Sequence, residues 1–87
     1  MKDNYLPIPC AQHEAYQYAV IKGAMLDLSW QDERGAKCGA RAQPIDVVTR
    51  DSAEFLVIKQ QDGSIRSIRL DRIIAANRVI DGESLMD

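Results

Sequence analysis

The sequence predicts a mostly β fold in which an N-terminal α-helix rests on a small barrel of about five strands. Three observations lead there. Residues 10–22 run without Gly or Pro and hold three Ala, two Gln and one Glu. After Gly23 the hydrophobic period changes to two. The remainder is punctuated by turn chemistry: Asp32-Glu33-Arg34-Gly35, Arg50-Asp51-Ser52 and Gln61-Asp62-Gly63. The 87 residues suffice for one domain, 1–87. Closure into a barrel removes sheet edges that so short a chain has few other ways to cover.

The elements follow in order. Residues 1–9 read as an extended lead-in, because Pro7 and Pro9 fix φ and push Leu6 and Ile8 away from helical geometry. In the helix, Ala11, Ala15, Tyr18 and Ala19 fall together as the expected buried face. His13, Glu14 and Gln17 lie on the expected polar side. Gly23 is the expected terminator. Leu26, Leu28 and Trp30 alternate with polar residues as a half-buried strand. Ala36, Cys38, Ala40 and Ala42 form the small inward face of a second strand, which Gly39 allows to bend. Pro44 is expected to interrupt the ladder, with 45–49 as an edge or bent continuation. Residues 54–60 hold the run Phe55-Leu56-Val57-Ile58, which suggests burial on both sides. Asp62-Gly63 marks a hairpin, and 64–70 pairs back with Ile68 and Leu70 inward. Asp71-Arg72 breaks the alternation, 73–80 forms a last strand, and 81–87 is a polar tail expected to fray.

Charge narrows the function classes. The formal net charge is -2, whereas direct nucleic-acid binding usually carries a basic footprint. Acid leads in the first third, with Lys2, Asp3, Glu14, Lys22, Asp27 and Asp32. The later chain is rich in arginine, with Arg34, Arg41, Arg50, Arg66, Arg69 and Arg72. An acid-leaning N-terminal region suits a basic partner. Two cysteines make no disulfide scaffold, no apolar stretch is long enough to span a membrane, and no signal peptide is expected from the opening residues. The expectation is a cytoplasmic protein with free thiols.

No catalytic or metal-binding constellation emerges. Cys10-x-x-His13 offers two ligands at one helical turn, but a structural zinc needs four, and the chain has one His and two Cys. Cys10, His13 and Glu14 resemble a thiol with its base, yet neighbours on one helix seldom reach attack geometry. Cys38 reads as an inert core thiol. Arg66, Arg69 and Arg72 with Lys59 form either a basic patch or a solvated face balanced by Asp62 and Asp71; balance is the plainer reading. Tyr5, Tyr16 and Tyr18 could stack on bases, but more often pack with a polar tip outward. A protein-binding module without enzymatic activity or cofactor is expected.

Three segments resemble one family. Tyr5-Leu6-Pro7-Ile8-Pro9-Cys10 is similar to a Tyr-x-Pro-Ile-x-Cys start before a helix. Glu54-Phe55-Leu56-Val57-Ile58 is similar to Glu-Tyr-Leu-Val-Val. Ile68-Arg69-Leu70-Asp71-Arg72-Ile73 is similar to Leu-Arg-Leu-Asp-Lys-Ile. In order and at this separation they resemble the Rho-binding antiterminators, often called Rof.

The resemblance implies an N-terminal helix on a five-stranded Sm-like barrel. It also implies binding to the N-terminal RNA-binding domain of the transcription termination factor Rho, which blocks RNA entry. Carried over by position, the contact surface is Asn4, Tyr5, Cys10, His13, Glu14 and Gln17, with a second contact at Arg50 and Asp51. Some members are richly acidic after the cysteine. Here Cys10-Ala11-Gln12-His13-Glu14 carries one carboxylate, which implies less electrostatic steering. The free protein is expected to be monomeric. The alternative is an Sm-like module that binds RNA directly.

Overall fold

The computed structural model describes residues 5–86. One helix, α1 (Cys10–Lys22), precedes five strands: β1 (Leu26–Gln31), β2 (Lys37–Arg50), β3 (Ala53–Gln60), β4 (Ile65–Arg69) and β5 (Ile73–Arg78). The strands form one antiparallel sheet in the order β4-β3-β2-β1-β5.

Pro9 opens α1 with extended backbone, and its carbonyl accepts from the N–H groups of Gln12 and His13. Gly23 closes it in the left-handed region at φ 65, where L-residues with a Cβ are disfavoured. There Gly23 N–H bonds Val20 O and Ala24 N–H bonds Ala19 O, which satisfies the last carbonyls. The buried face differs from the expected one. Tyr16 and Ala19 point into the core, while Ala11 and Tyr18 are exposed. Small and apolar residues spread over most of the helix outside the His13, Glu14 and Gln17 side, so pattern alone did not select which of them turn inward.

β1 follows the predicted alternation, with Leu26, Leu28 and Trp30 buried. The turn after it is tied by Asp32, whose Oδ1 accepts from the N–H groups of Arg34 and Ala36, both at 2.9 Å. β2 is the long strand that bends the sheet. Its first half pairs with β1, its second half with β3, and Ala42 faces Leu26 on one side and Gln60 on the other. Pro44 does not end the ladder. It is buried opposite Ile58, and the register shifts between Pro44 and Asp46. The bulge accommodates the missing donor and sharpens the bend.

β3 is not buried on both sides. Leu56 and Ile58 are fully buried, whereas Phe55 and Val57 alternate onto a half-exposed face. The Arg50 guanidinium lies 4.6 Å from the Phe55 ring centroid and covers that face.

The edge strands β4 and β5 are joined by a single 3-10 turn, Leu70–Arg72. In a flat sheet, strands four positions apart lie about 19 Å away from each other. Three residues of 3-10 helix rise only about 6 Å. The sheet must therefore curl until its two edges approach at this end. Among the described residues, no ladder joins β4 to β5, so the sheet stays open along that seam.

The core is the inside of this curl, roofed by α1: Tyr16, Leu26, Leu28, Trp30, Leu56, Ile58, Ile68, Leu70 and Ile73. Residues 81–86 fold back and do not fray. Arg78 pairs with Asp81 and Glu83, Asn77 bridges Ser84, and Leu85 N–H bonds Ala76 O at 2.8 Å. Leu85 and Met86 pack on the core, and Gln12 Nε2 donates to Met86 O at 3.0 Å. Those apolar residues fasten a segment whose polar start suggested a loose end.

Candidate partner-binding face

The lead-in, the start of α1, the start of β3 and the 3-10 turn meet at one end of the curl. Glu54, the second residue of β3, is the junction. Its Oε1 accepts from Tyr5 Oη at 3.0 Å, and its Oε2 lies 2.6 Å from His13 Nε2. One residue along the lead-in, Leu6 N–H donates to Asp71 Oδ2 at 3.0 Å. Asp71 is held in turn by Arg69, with Nε to Oδ1 at 2.9 Å and Nη2 to Oδ2 at 2.5 Å. The Arg69 guanidinium also faces the Tyr5 ring, 5.7 Å from its centroid.

Electrostatics follow this geometry. Burial raises the Tyr5 phenol above its ordinary range, and the Glu54 hydrogen bond and the Glu54 and Asp71 charges raise it further against Arg69. The phenol is therefore a committed donor. Burial pushes the Asp71 carboxyl up, but hydrogen bonds from Arg69 and Leu6 and the charges of Arg69 and Arg72 outweigh it and hold the pKa down. Asp71 is thus a committed acceptor.

The expected contact residues fall into two groups, and Asn4 lies outside the described residues. Cys10, His13, Glu14 and Gln17 share one flank of α1 at spacings of three, four and seven. Cys10, Glu14 and Gln17 are exposed. His13 is not the exposed imidazole the sequence suggested, because its pairing with Glu54 half-buries it. Tyr5 joins this group through Glu54. Arg50 and Asp51 form the second group, at the tip of the β2–β3 hairpin. Asp51 and Ser52 both hold positive φ, 52° and 63°, in a two-residue turn without glycine.

Sequence reasoning did not single out Glu54 as a site residue, and weighed Arg69 and Asp71 only as a basic-patch member and its balancing charge. All three stand inside the motifs that carry the family resemblance, which was the available signal. The three motifs are far apart in sequence, yet Tyr5–Glu54 and Leu6–Asp71 stitch the first to each of the others.

A second feature lies along the open seam. A groove of about 990 Å³ runs beside β4, over Trp30 and Ile68, with Arg34, Arg66, Arg69 and Arg72 along it. Arg66 lies over the Trp30 ring at 5.5 Å. Asp32, Glu33 and Asp51 line the same groove, so its charge is mixed. Arg66, Arg69 and Arg72 do come together as a patch, while Lys59 is not among the lining residues.

Among the described residues, no group of three or more His, Cys, Asp or Glu side chains could hold a metal ion. Cys10 and Cys38 are free thiols, and no described helix is long and apolar enough to cross a membrane. No protein-family model and no curated protein matches the chain.

Proposed function

We propose that this protein is a Rof-like inhibitor of Rho: a cytoplasmic, non-enzymatic module that covers the RNA-binding site of Rho's N-terminal domain. The observation that carries the reading is the convergence of its three motifs. The first motif hydrogen-bonds each of the other two just before α1: Tyr5 Oη donates to Glu54, and Leu6 N–H donates to Asp71. Independent coincidences of sequence have no reason to assemble into one surface. The strand order, the helical roof and the short β4–β5 link support an Sm-like barrel with an unpaired seam.

The mechanism is steric and electrostatic. The exposed flank of Cys10, Glu14 and Gln17 sits on a rigid base, because His13 and Tyr5 are clamped to Glu54. A preorganised polar surface loses little ordering entropy on binding. One carboxylate, Glu14, faces a basic cleft, and the lead-in and the Arg50–Asp51 turn extend the contact on either side. RNA and this protein then exclude each other.

The second reading, direct RNA binding, draws on the seam groove with its four arginines. The acids lining the same groove weigh against it. Co-purification with Rho, followed by a Rho-dependent termination assay, tests the proposal. The expected result is a complex and increased read-through. No complex at low salt would remove the proposal, and tight binding to free single-stranded RNA would favour the groove.

A further inference from the structure

The outward side of α1 carries a pattern unrelated to the Glu54 junction. With Tyr16 and Ala19 turned inward, the opposite line of the helix is Ala11, Glu14, Tyr18 and Ile21, at spacings of three, four and three. All four are exposed, Tyr18 by 55% and Ile21 by 79%. Met25, 40% exposed, extends the line past the Gly23 turn. Ile80, 90% exposed, follows Val79, whose N–H bonds Met25 O at 3.0 Å. Four large apolar side chains are thus presented at one end of the molecule, a clustering that marks interaction surfaces.

We propose that this stripe is a homodimer interface in which α1 packs antiparallel against α1 of a second copy, about a twofold axis near Tyr18. The charges choose the occupant and its direction. Glu14 stands one turn before Tyr18 and Lys22 one turn after it, with the Lys22 ammonium 5.5 Å from the Tyr18 ring. Antiparallel pairing centred on Tyr18 sets Glu14 of each copy opposite Lys22 of the other, and symmetry makes the pair twice. Parallel pairing would oppose like charges. The stripe is self-complementary in charge, which a surface built for an unrelated partner has no reason to be.

The contact is modest. A standard interface buries about 800 Å² per partner, and an apolar patch on a monomer of ordinary size is about 300–600 Å². The dimer is therefore a weak one that forms as protein concentration rises. It departs from the sequence expectation of a free monomer. It also covers Glu14, so self-association and the proposed Rho contact compete for one flank of α1.

Sedimentation of the full chain alone, from about 1 µM to about 1 mM at low salt, tests the dimer without Rho. The 9.8 kDa species should give way to twice that mass as concentration rises. Ile21→Glu should abolish the shift while leaving the thermal melt unchanged. Glu14→Lys and Lys22→Glu should each weaken self-association about tenfold. An equimolar mixture of those two variants should regain it, since each then faces an opposite charge. A monomer at every concentration would overturn the proposal, as would a dimer insensitive to Ile21→Glu. A mixture that associates no better than its components would overturn the antiparallel register.

Discussion

The inside of the curl and the lead-in junction are held by different forces. Inside, Leu26, Leu56, Ile58 and Leu70 are stripped of water and packed, and one polar atom, Tyr16 Oη, has no hydrogen-bond partner among the described residues. At the junction, Tyr5, His13, Glu54, Arg69 and Asp71 are partly solvated and every contact is directional. The first arrangement contributes stability in proportion to area. The second contributes less stability but fixes where a surface stands. Mutations should separate the two, with large thermodynamic effects inside and small ones, carrying large binding effects, at the junction.

The largest effect is expected at Leu56. Leu56→Ala removes a fully buried side chain and should destabilise the fold by about 2–5 kcal/mol, much of what a small domain possesses. Phe55→Ala, on the half-exposed face of β3, should cost clearly less, because part of its ring is already solvated. Equal losses in chemical denaturation would erase the distinction between the two faces of β3.

Tyr16 gives the next effect, with the opposite sign. Tyr16→Phe removes a buried hydroxyl without a partner and should raise stability by about 1 kcal/mol. Burial pushes the Tyr16 phenol up to about 12 from its ordinary 10.0. A folded-state pKa above the unfolded one contributes stability that is complete below about pH 10 and lost as pH rises toward 12. The wild type should therefore lose stability through that window faster than Tyr16→Phe. Parallel pH profiles would show that Tyr16 is not the buried group.

The hairpin tip should respond on a similar scale. Ser52 holds φ 63 where glycine is favoured, so Ser52→Gly should stabilise by up to about 1 kcal/mol by equilibrium unfolding. A loss instead would mean that the turn relaxes differently.

Glu14→Lys should have the smallest effect on folding, within about 0.5 kcal/mol, because the side chain is exposed. Its effect on Rho binding should be a slower association with a flatter salt dependence. Unaltered binding at low salt would detach Glu14 from the interface.

Much of the fold was legible because turns punctuate it. Gly23, Asp32 to Gly35 and Asp62-Gly63 stand where the chain reverses, and Leu26, Leu28 and Trp30 declare the inner face of β1. The inward side of α1 was only partly legible: His13, Glu14 and Gln17 mark a polar side, but Ala11, Ala15, Tyr16, Tyr18, Ala19, Val20 and Ile21 spread over the rest of the helix, and pattern does not select which of them turn inward. Pro44 misled because a bulge lets the ladder continue past a missing donor. At the site, Tyr5 and His13 were identified, but Glu54 and Asp71 were not. Their contacts cross 49 and 65 residues of chain, and no local periodicity encodes such pairings.

The proposed inhibition requires this surface and RNA to compete for one site on Rho. The direct measurement is fluorescence anisotropy of labelled single-stranded RNA on Rho, titrated with this protein at two salt concentrations. RNA should be released as this protein is added, and the complex with Rho formed without RNA should weaken as added salt screens exposed charges, with a Debye length of about 8 Å at physiological ionic strength. A stable ternary complex in which RNA remains bound to Rho's primary site would contradict it.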